Sequence, residues 1–202
     1  MTVWRENHPL ILASQSRARQ ALLANAGIPF DAIPADIDER ALQKKSGLSK
    51  PGEIAGLLAR EKALSVSSQN PGRYVVGADQ TLAHGARLFS KPAGRTQAAE
   101  QLRLLSGATH ELHAGVAVAR DGKVMFSDVS LARMSMRRLS EREIETYLDE
   151  AGAAVTTSVG AYQLEGLGVH LFERIEGDHF TILGLPLLPL LAFLRREQLL
   201  NV

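Results

Sequence analysis

Short apolar runs alternate with stretches of helical period along this chain. Pro9 to Ala13 is a continuous apolar run, read as a buried strand, and it passes through Ser14-Gln15-Ser16 into Arg17 to Ala26. That second stretch favours helix, with Leu22, Leu23 and Ala26 on one face and Gly27 as its stop. Phe30 to Pro34 reads as a further strand leading into the acidic loop Asp36-Ile37-Asp38-Glu39. Ser49-Lys50-Pro51 announces a helix to about Ser67, because proline suits a first turn and Ile54, Leu57, Leu58 and Leu64 recur at helical spacing. Asn70-Pro71-Gly72 breaks it, Tyr74 to Ala78 is the next buried strand, and Asp79 stands where that strand ends.

The second half changes character. A helix is expected from Thr96 to Leu105, then two strands, His110 to Ala119 and Lys123 to Met136, joined by Arg120-Asp121-Gly122. The Asp-Gly pair signals a tight hairpin and so an antiparallel part of the sheet. Ser140 and Glu143 form a capping box for a helix to about Glu150, Val169 to Ile175 resembles a strand, and Ile182 to Leu194 reads as a buried C-terminal helix. The elements add up to an α/β fold, a mixed sheet flanked by helices.

Composition narrows the function classes. At 202 residues the chain allows one core or two closely packed lobes. A formal net charge of +1 and the lack of a basic run argue against a nucleic-acid partner. No cysteine occurs, which excludes disulfides and thiolate metal sites and suits a reducing compartment. The N-terminal apolar stretch is too short for a signal peptide, and the Ile182 to Leu194 segment, with Pro186 and Pro189, is too short to cross a bilayer. A cytoplasmic protein with no membrane partner is expected.

Three groups of residues carry candidate chemistry. Ser14 to Arg19 lies at a strand-to-helix junction, where unpaired N–H groups, hydroxyls and arginines make a phosphate site. Taken alone, the same segment reads more readily as a serine cap with arginines in solvent. Asp79, after a buried strand and a small residue, is placed as an acid at the mouth of an α/β sheet, or as an ordinary turn aspartate. Lys62 and Lys91 flank it in sequence, and Glu39 with Asp79 could offer carboxylate oxygens to a hard cation. His110 and His113, three apart in a strand, point to opposite faces and do not share a metal. Phosphate-loop, dinucleotide-fingerprint and serine-nucleophile motifs are missing.

The ordered segments LILASQSRARQALL, PADIDER, AREKA, VVGADQT, SKP, LRLLSGATHELHAGVAV, LSEREIETYL, GAYQLEGLGVHLFERIEG and LGLPLLPLL resemble the Maf family, the septum-formation-inhibitor-like nucleoside triphosphate pyrophosphatases. The match runs from Leu10 to about Leu191. The resemblance implies a single domain over residues 1–202, an elongated mixed sheet flanked by helices, with two lobes around a nucleotide cleft, and often a homodimer. It also implies a cytoplasmic house-cleaning hydrolase that keeps modified nucleotides from incorporation.

By position, Asp79 matches the catalytic proton acceptor. Ser14, Arg19, Lys62 and Lys91 match residues around the triphosphate, and Glu39 matches an acid near a divalent metal, magnesium or manganese. Gln80 and Glu165 resemble the 7-methyl-GTP-directed members, whereas Ala18 stands where those members commonly carry tryptophan. Arg17 and Ala18 also depart from the proline and first arginine of the dTTP/UTP-directed members. The expectation is hydrolysis of nucleoside triphosphates, 7-methyl-GTP foremost, to monophosphate and pyrophosphate. Its rivals are a dTTP/UTP pyrophosphatase and a nucleotide-binding regulator of septum formation without turnover.

Overall fold

The protein is described by a computed structural model for residues 3–202. Its elements in chain order are β1 (Leu10–Leu12), α1 (Arg17–Asn25), β2 (Phe30–Ala32), α2 (Glu39–Ser46), α3 (Pro51–Ser67), β3 (Val75–His84), β4 (Arg87–Phe89) and α4 (Arg95–Leu105). After these come β5 (Thr109–Arg120), β6 (Lys123–Met136), α5 (Glu141–Ala151), β7 (Phe172–Glu176), α6 (His179–Ile182) and α7 (Leu187–Arg196). The seven strands form one mixed sheet in the order β2-β1-β3-β5-β6-β7, with β4 paired to β3. Residues fall into two compact units, 3–80 with 114–130 and 179–202, and 81–113 with 131–178.

In the first unit β1 pairs in parallel with both β2 and β3, Leu10 opposite Phe30 and Ile11 opposite Val75. Successive strand residues point to opposite faces, so a central strand covered on both sides is apolar throughout. Leu10, Leu12, Val76 and Ala78 accordingly join Leu23, Leu190 and Phe193 in one core cluster. Ile11, Ala13 and Val75 join Val66 on the other face, beside a cluster of Ala59, Ala63, Ala117 and Ala119.

The alanine face of α3 touches the sheet at backbone range. A Cβ at Gly77 would overlap the Ala59 carbonyl oxygen and lie 2.6 Å from the Ala63 nitrogen, and one at Gly115 would overlap the Ala55 carbonyl. Two bare glycines therefore set how closely helix and sheet approach.

Several elements differ from the sequence expectation. Helix α2 was not anticipated; Asp38 caps it by accepting from the Ala41 N–H at 2.9 Å, and Gly47 closes it at φ 66°. Strand β3 does not end before Asp79 but runs to His84, its far end paired with β4, Leu82 opposite Phe89. The expected single C-terminal helix is two, because Gly184 adopts φ 86° and Pro186 follows. Pro189 then falls in the first turn of α7, where a missing N–H costs nothing. The strand expected from Val169 starts only at Phe172, since Leu167–Leu171 winds as a 3-10 turn with Gly168 packed on the Gln163 backbone.

In the second unit β7 pairs antiparallel with β6, Met134 opposite Ile175. The Ser140 and Glu143 capping box is formed as expected. Across α4 and α5, Arg103 reaches Glu141 at 2.7 Å and Arg95 reaches Glu145 at 2.6 Å. His110 is buried, with Nε2 2.7 Å from the Tyr162 hydroxyl and its ring against Tyr162 and Phe172. Its Nδ1 has no hydrogen-bond partner, and burial together with the nearby His84 lowers its pKa to about 4. His110 is thus a neutral packing residue.

Candidate active site

The first unit gathers five of the residues singled out from sequence. Asp79 lies inside β3, and the two-residue alternation turns its side chain to the face of Val75 and Gly77, beneath α3. Only 7% of it is exposed. Lys62, one turn before the end of α3, places Nζ 2.6 Å from Asp79 Oδ1 and 2.8 Å from Glu39 Oε1. One ammonium thus joins three elements, with the Lys62 and Asp79 side chains nearly enclosed and Glu39 half open to solvent. Glu39 opens α2, so the Asp38 cap holds it on a helix end instead of a free loop.

Arg19 is partly buried on the other side of β3. Its Nε donates to the Gly184 carbonyl at 2.8 Å, and Nη1 donates to the Ala78 carbonyl at 2.8 Å and to Ser14 Oγ at 3.2 Å. Ser14 Oγ also accepts from the Ser16 N–H at 3.2 Å, while Ser16 caps α1 by accepting from the Arg19 N–H. A serine caps the helix and Arg17 is exposed, as the capping reading expects, whereas Arg19 is turned inward onto backbone carbonyls.

The electrostatics follow from enclosure. Burial pushes the Asp79 carboxyl above its ordinary range, and the nearby Lys62 and Arg19 charges limit that rise. Burial lowers the Arg19 pKa, with Asp79 and Glu39 acting against it. A carboxylate whose proton affinity is raised, flanked by cations that keep it able to ionise, is suited to accept a proton from water.

The remaining candidates stand elsewhere. Gln80 faces away from Asp79, and its amide nitrogen donates to the Thr181 and Ile182 carbonyls, each at 3.0 Å. Ala18 is half-buried in the first turn of α1. Lys91 and Glu165 are exposed residues of the second unit, Lys91 between β4 and α4 and Glu165 in the turn after Tyr162. Sequence reasoning missed Gly77 and Gly184, whose value lies in the missing side chain. The available signals were a glycine within an apolar strand and a glycine just ahead of a proline.

Among the described residues no group of three or more histidines, aspartates or glutamates is placed to hold a metal, and no helix is long and apolar enough to cross a membrane.

Comparison with known proteins agrees with the resemblance read from the sequence. A protein of Nitrobacter winogradskyi named nucleoside triphosphate pyrophosphatase is 68% identical over the full length of both chains. One of Bradyrhizobium diazoefficiens with the same name is 70% identical, again over the whole of both. A 7-methyl-GTP pyrophosphatase of Brucella abortus is 51% identical over 95% of this chain and 98% of its own. The family described as Maf-like protein matches residues 9–197, and the chain belongs to that family.

Proposed function

We propose that this chain is a nucleoside triphosphate pyrophosphatase, with Asp79 as the base. The observation that carries the reading is the enclosed Asp79 carboxylate bound by Lys62, which also binds Glu39, in a chain so similar over its whole length to proteins named for this activity. A binding module would need the cations but has little use for a buried carboxylate with raised proton affinity.

Asp79 accepts a proton from water as the water oxygen attacks the α-phosphorus. The α–β bridging bond breaks, pyrophosphate departs, and a nucleoside monophosphate remains. Lys62 orients the Asp79 oxygen and presents its ammonium to the reacting phosphates. Arg19 and Ser14 fix the floor of the site at the start of α1, and Lys91 is assigned to the phosphates on the family resemblance alone.

Asp79 and Glu39 suit a divalent cation: both already face one cationic nitrogen, and hard carboxylate oxygens are what magnesium or manganese takes. Two protein carboxylates are enough when the other donors are phosphate oxygens and water. When bound, such an ion would neutralise phosphate charge and lower the pKa of water.

The preferred substrate is 7-methyl-GTP or a related modified purine triphosphate, a reading supported by Gln80, Glu165 and the Brucella abortus relative. The deciding experiment is pyrophosphate release by the purified protein from 7-methyl-GTP, GTP, dTTP and UTP, with and without magnesium or manganese. Release from at least one triphosphate, abolished in Asp79→Asn, supports the reading; none from any of them sinks it.

A further inference from the structure

The second unit carries Lys91 and Glu165 on irregular segments, and one buried side chain ties those segments together. Gln101, on α4 and only 6% exposed, donates from Nε2 to the Ser90 carbonyl at 2.8 Å and accepts at Oε1 from the Gly160 N–H at 3.1 Å. One turn earlier on the same face of α4, Gln97 accepts at Oε1 from the Ala93 N–H at 2.6 Å. The loop is therefore pinned on both sides of exposed Lys91, with Phe89 and Pro92 buried. The other arm holds a strained turn. Gly160 and Ala161 stand in succession at φ 80° and 62°, and a Cβ on Gly160 would lie 2.6 Å from Leu82 Cδ1. A buried alanine in the left-handed region persists only where its surroundings hold it. Here the Tyr147 hydroxyl donates to the Ala161 carbonyl at 3.1 Å, the Ser158 hydroxyl donates to the Tyr162 carbonyl, and Gln101 accepts from Gly160. The turn leads directly into Gln163-Leu164-Glu165.

We infer that Gln101 is a positioning residue for substrate: with Gln97 it fixes the loop bearing Lys91, and through Gly160 it fixes the turn bearing Glu165. The other buried residues of α4 are Ala98, Ala99, Leu102 and Leu105, so packing alone would be served by an apolar side chain at this place. A buried amide is costly to desolvate unless its donor and acceptor are both used, and this one spends them on the two segments that carry candidate substrate contacts. Neither arm reaches the reacting atoms. Losing them weakens ground-state and transition-state binding alike, which raises KM and leaves kcat in place. The inference rests on Lys91 meeting the phosphates and Glu165 the base.

The experiment compares Gln101→Met, Gln97→Ala and Lys91→Ala with the unaltered protein, reading kcat and KM separately for 7-methyl-GTP and UTP together with thermal unfolding. Methionine keeps the length of Gln101 but offers no amide, whereas Gln97→Ala, at an exposed position, releases only the Lys91 loop. Gln97→Ala should raise KM for both triphosphates by roughly threefold, with kcat and the preference between them unchanged. Gln101→Met should raise KM unequally, by roughly tenfold for 7-methyl-GTP and threefold for UTP, so that the preference shifts while kcat is kept. A folded Gln101→Met protein with a lower melting temperature but ordinary KM values, or with its preference unchanged, makes Gln101 a packing residue and overturns the inference. Should Gln101→Met fail to fold, Gln97→Ala decides: an ordinary KM overturns it. An ordinary KM in Lys91→Ala would instead defeat the assignment beneath the inference, and the inference with it.

Discussion

Gly77 lies so close under Ala59 that a side chain there would overlap the Ala59 carbonyl oxygen. Because α3 rests on β3 at this range, Lys62, three residues after Ala59, reaches Asp79, two residues after Gly77, at 2.6 Å. The Lys62–Asp79 contact is thus set by the absence of a side chain in the layer beneath it.

Gly77→Ala should push α3 off the sheet. Overpacking of this kind costs about 1–3 kcal/mol, and here the obstacle is helix backbone that no rotamer change relieves. Chemical denaturation should show the lower midpoint, and pyrophosphate release should fall further than stability accounts for. A folded variant with full turnover would separate the Gly77 packing from the Lys62 contact.

Lys62→Ala leaves Asp79 and Glu39 facing each other without the ammonium that binds both. With the larger of its two stabilising charges gone, the Asp79 carboxyl moves further up, and turnover at neutral pH should drop by roughly 10²-fold with the acid limb displaced to higher pH. Lys62→Arg, which retains charge on a differently shaped head, should recover part of the rate. Equal activity in all three proteins would remove Lys62 from the site.

His110 makes stability depend on acidity. Its folded pKa of about 4 lies below the ordinary value near 6.5, so below that value the unfolded chain takes up a proton that the folded one refuses. Stability is therefore full above the ordinary value and declines as pH falls toward about 4, by on the order of 3 kcal/mol in all. His110→Phe should flatten this segment of a stability-against-pH curve obtained by urea unfolding. An unchanged slope would mean that other groups set the acid sensitivity.

Gln80→Thr and Glu165→Gln, the changes toward the pyrimidine-directed pattern, should alter the ratio of kcat/KM for 7-methyl-GTP over UTP more than the sum of the two. Gln80 also holds Thr181 and Ile182, so its substitution should lower the melting temperature, whereas exposed Glu165 should leave it in place. Substrate ratios that stay constant in both variants would withdraw these residues from base choice.

Much of the molecule was legible in the residues alone. The strand at Leu10–Leu12, helix Pro51–Ser67, the Asp-Gly hairpin and the Ser140 capping box follow from apolar runs, helical period and local turn chemistry, and all are present. These signals lie within a few residues of one another, so one stretch of chain carries the whole message. Asp79, Lys62 and Glu39 were picked out as chemical candidates, and the ordered segments identified the family.

Contacts between distant segments were decided only by the tertiary structure. Asp79 looked like the end of a strand, yet β4 pairing carries the strand through it to His84. Arg19 looked like a surface or phosphate arginine, yet a carbonyl 165 residues along the chain turns it inward. That Lys62 binds Asp79 and Glu39 at once depends on three elements meeting over a glycine. The physical reason is range: propensity and periodicity act between neighbours in sequence, while burial, charge coupling and the space left by a missing side chain exist only once remote segments pack.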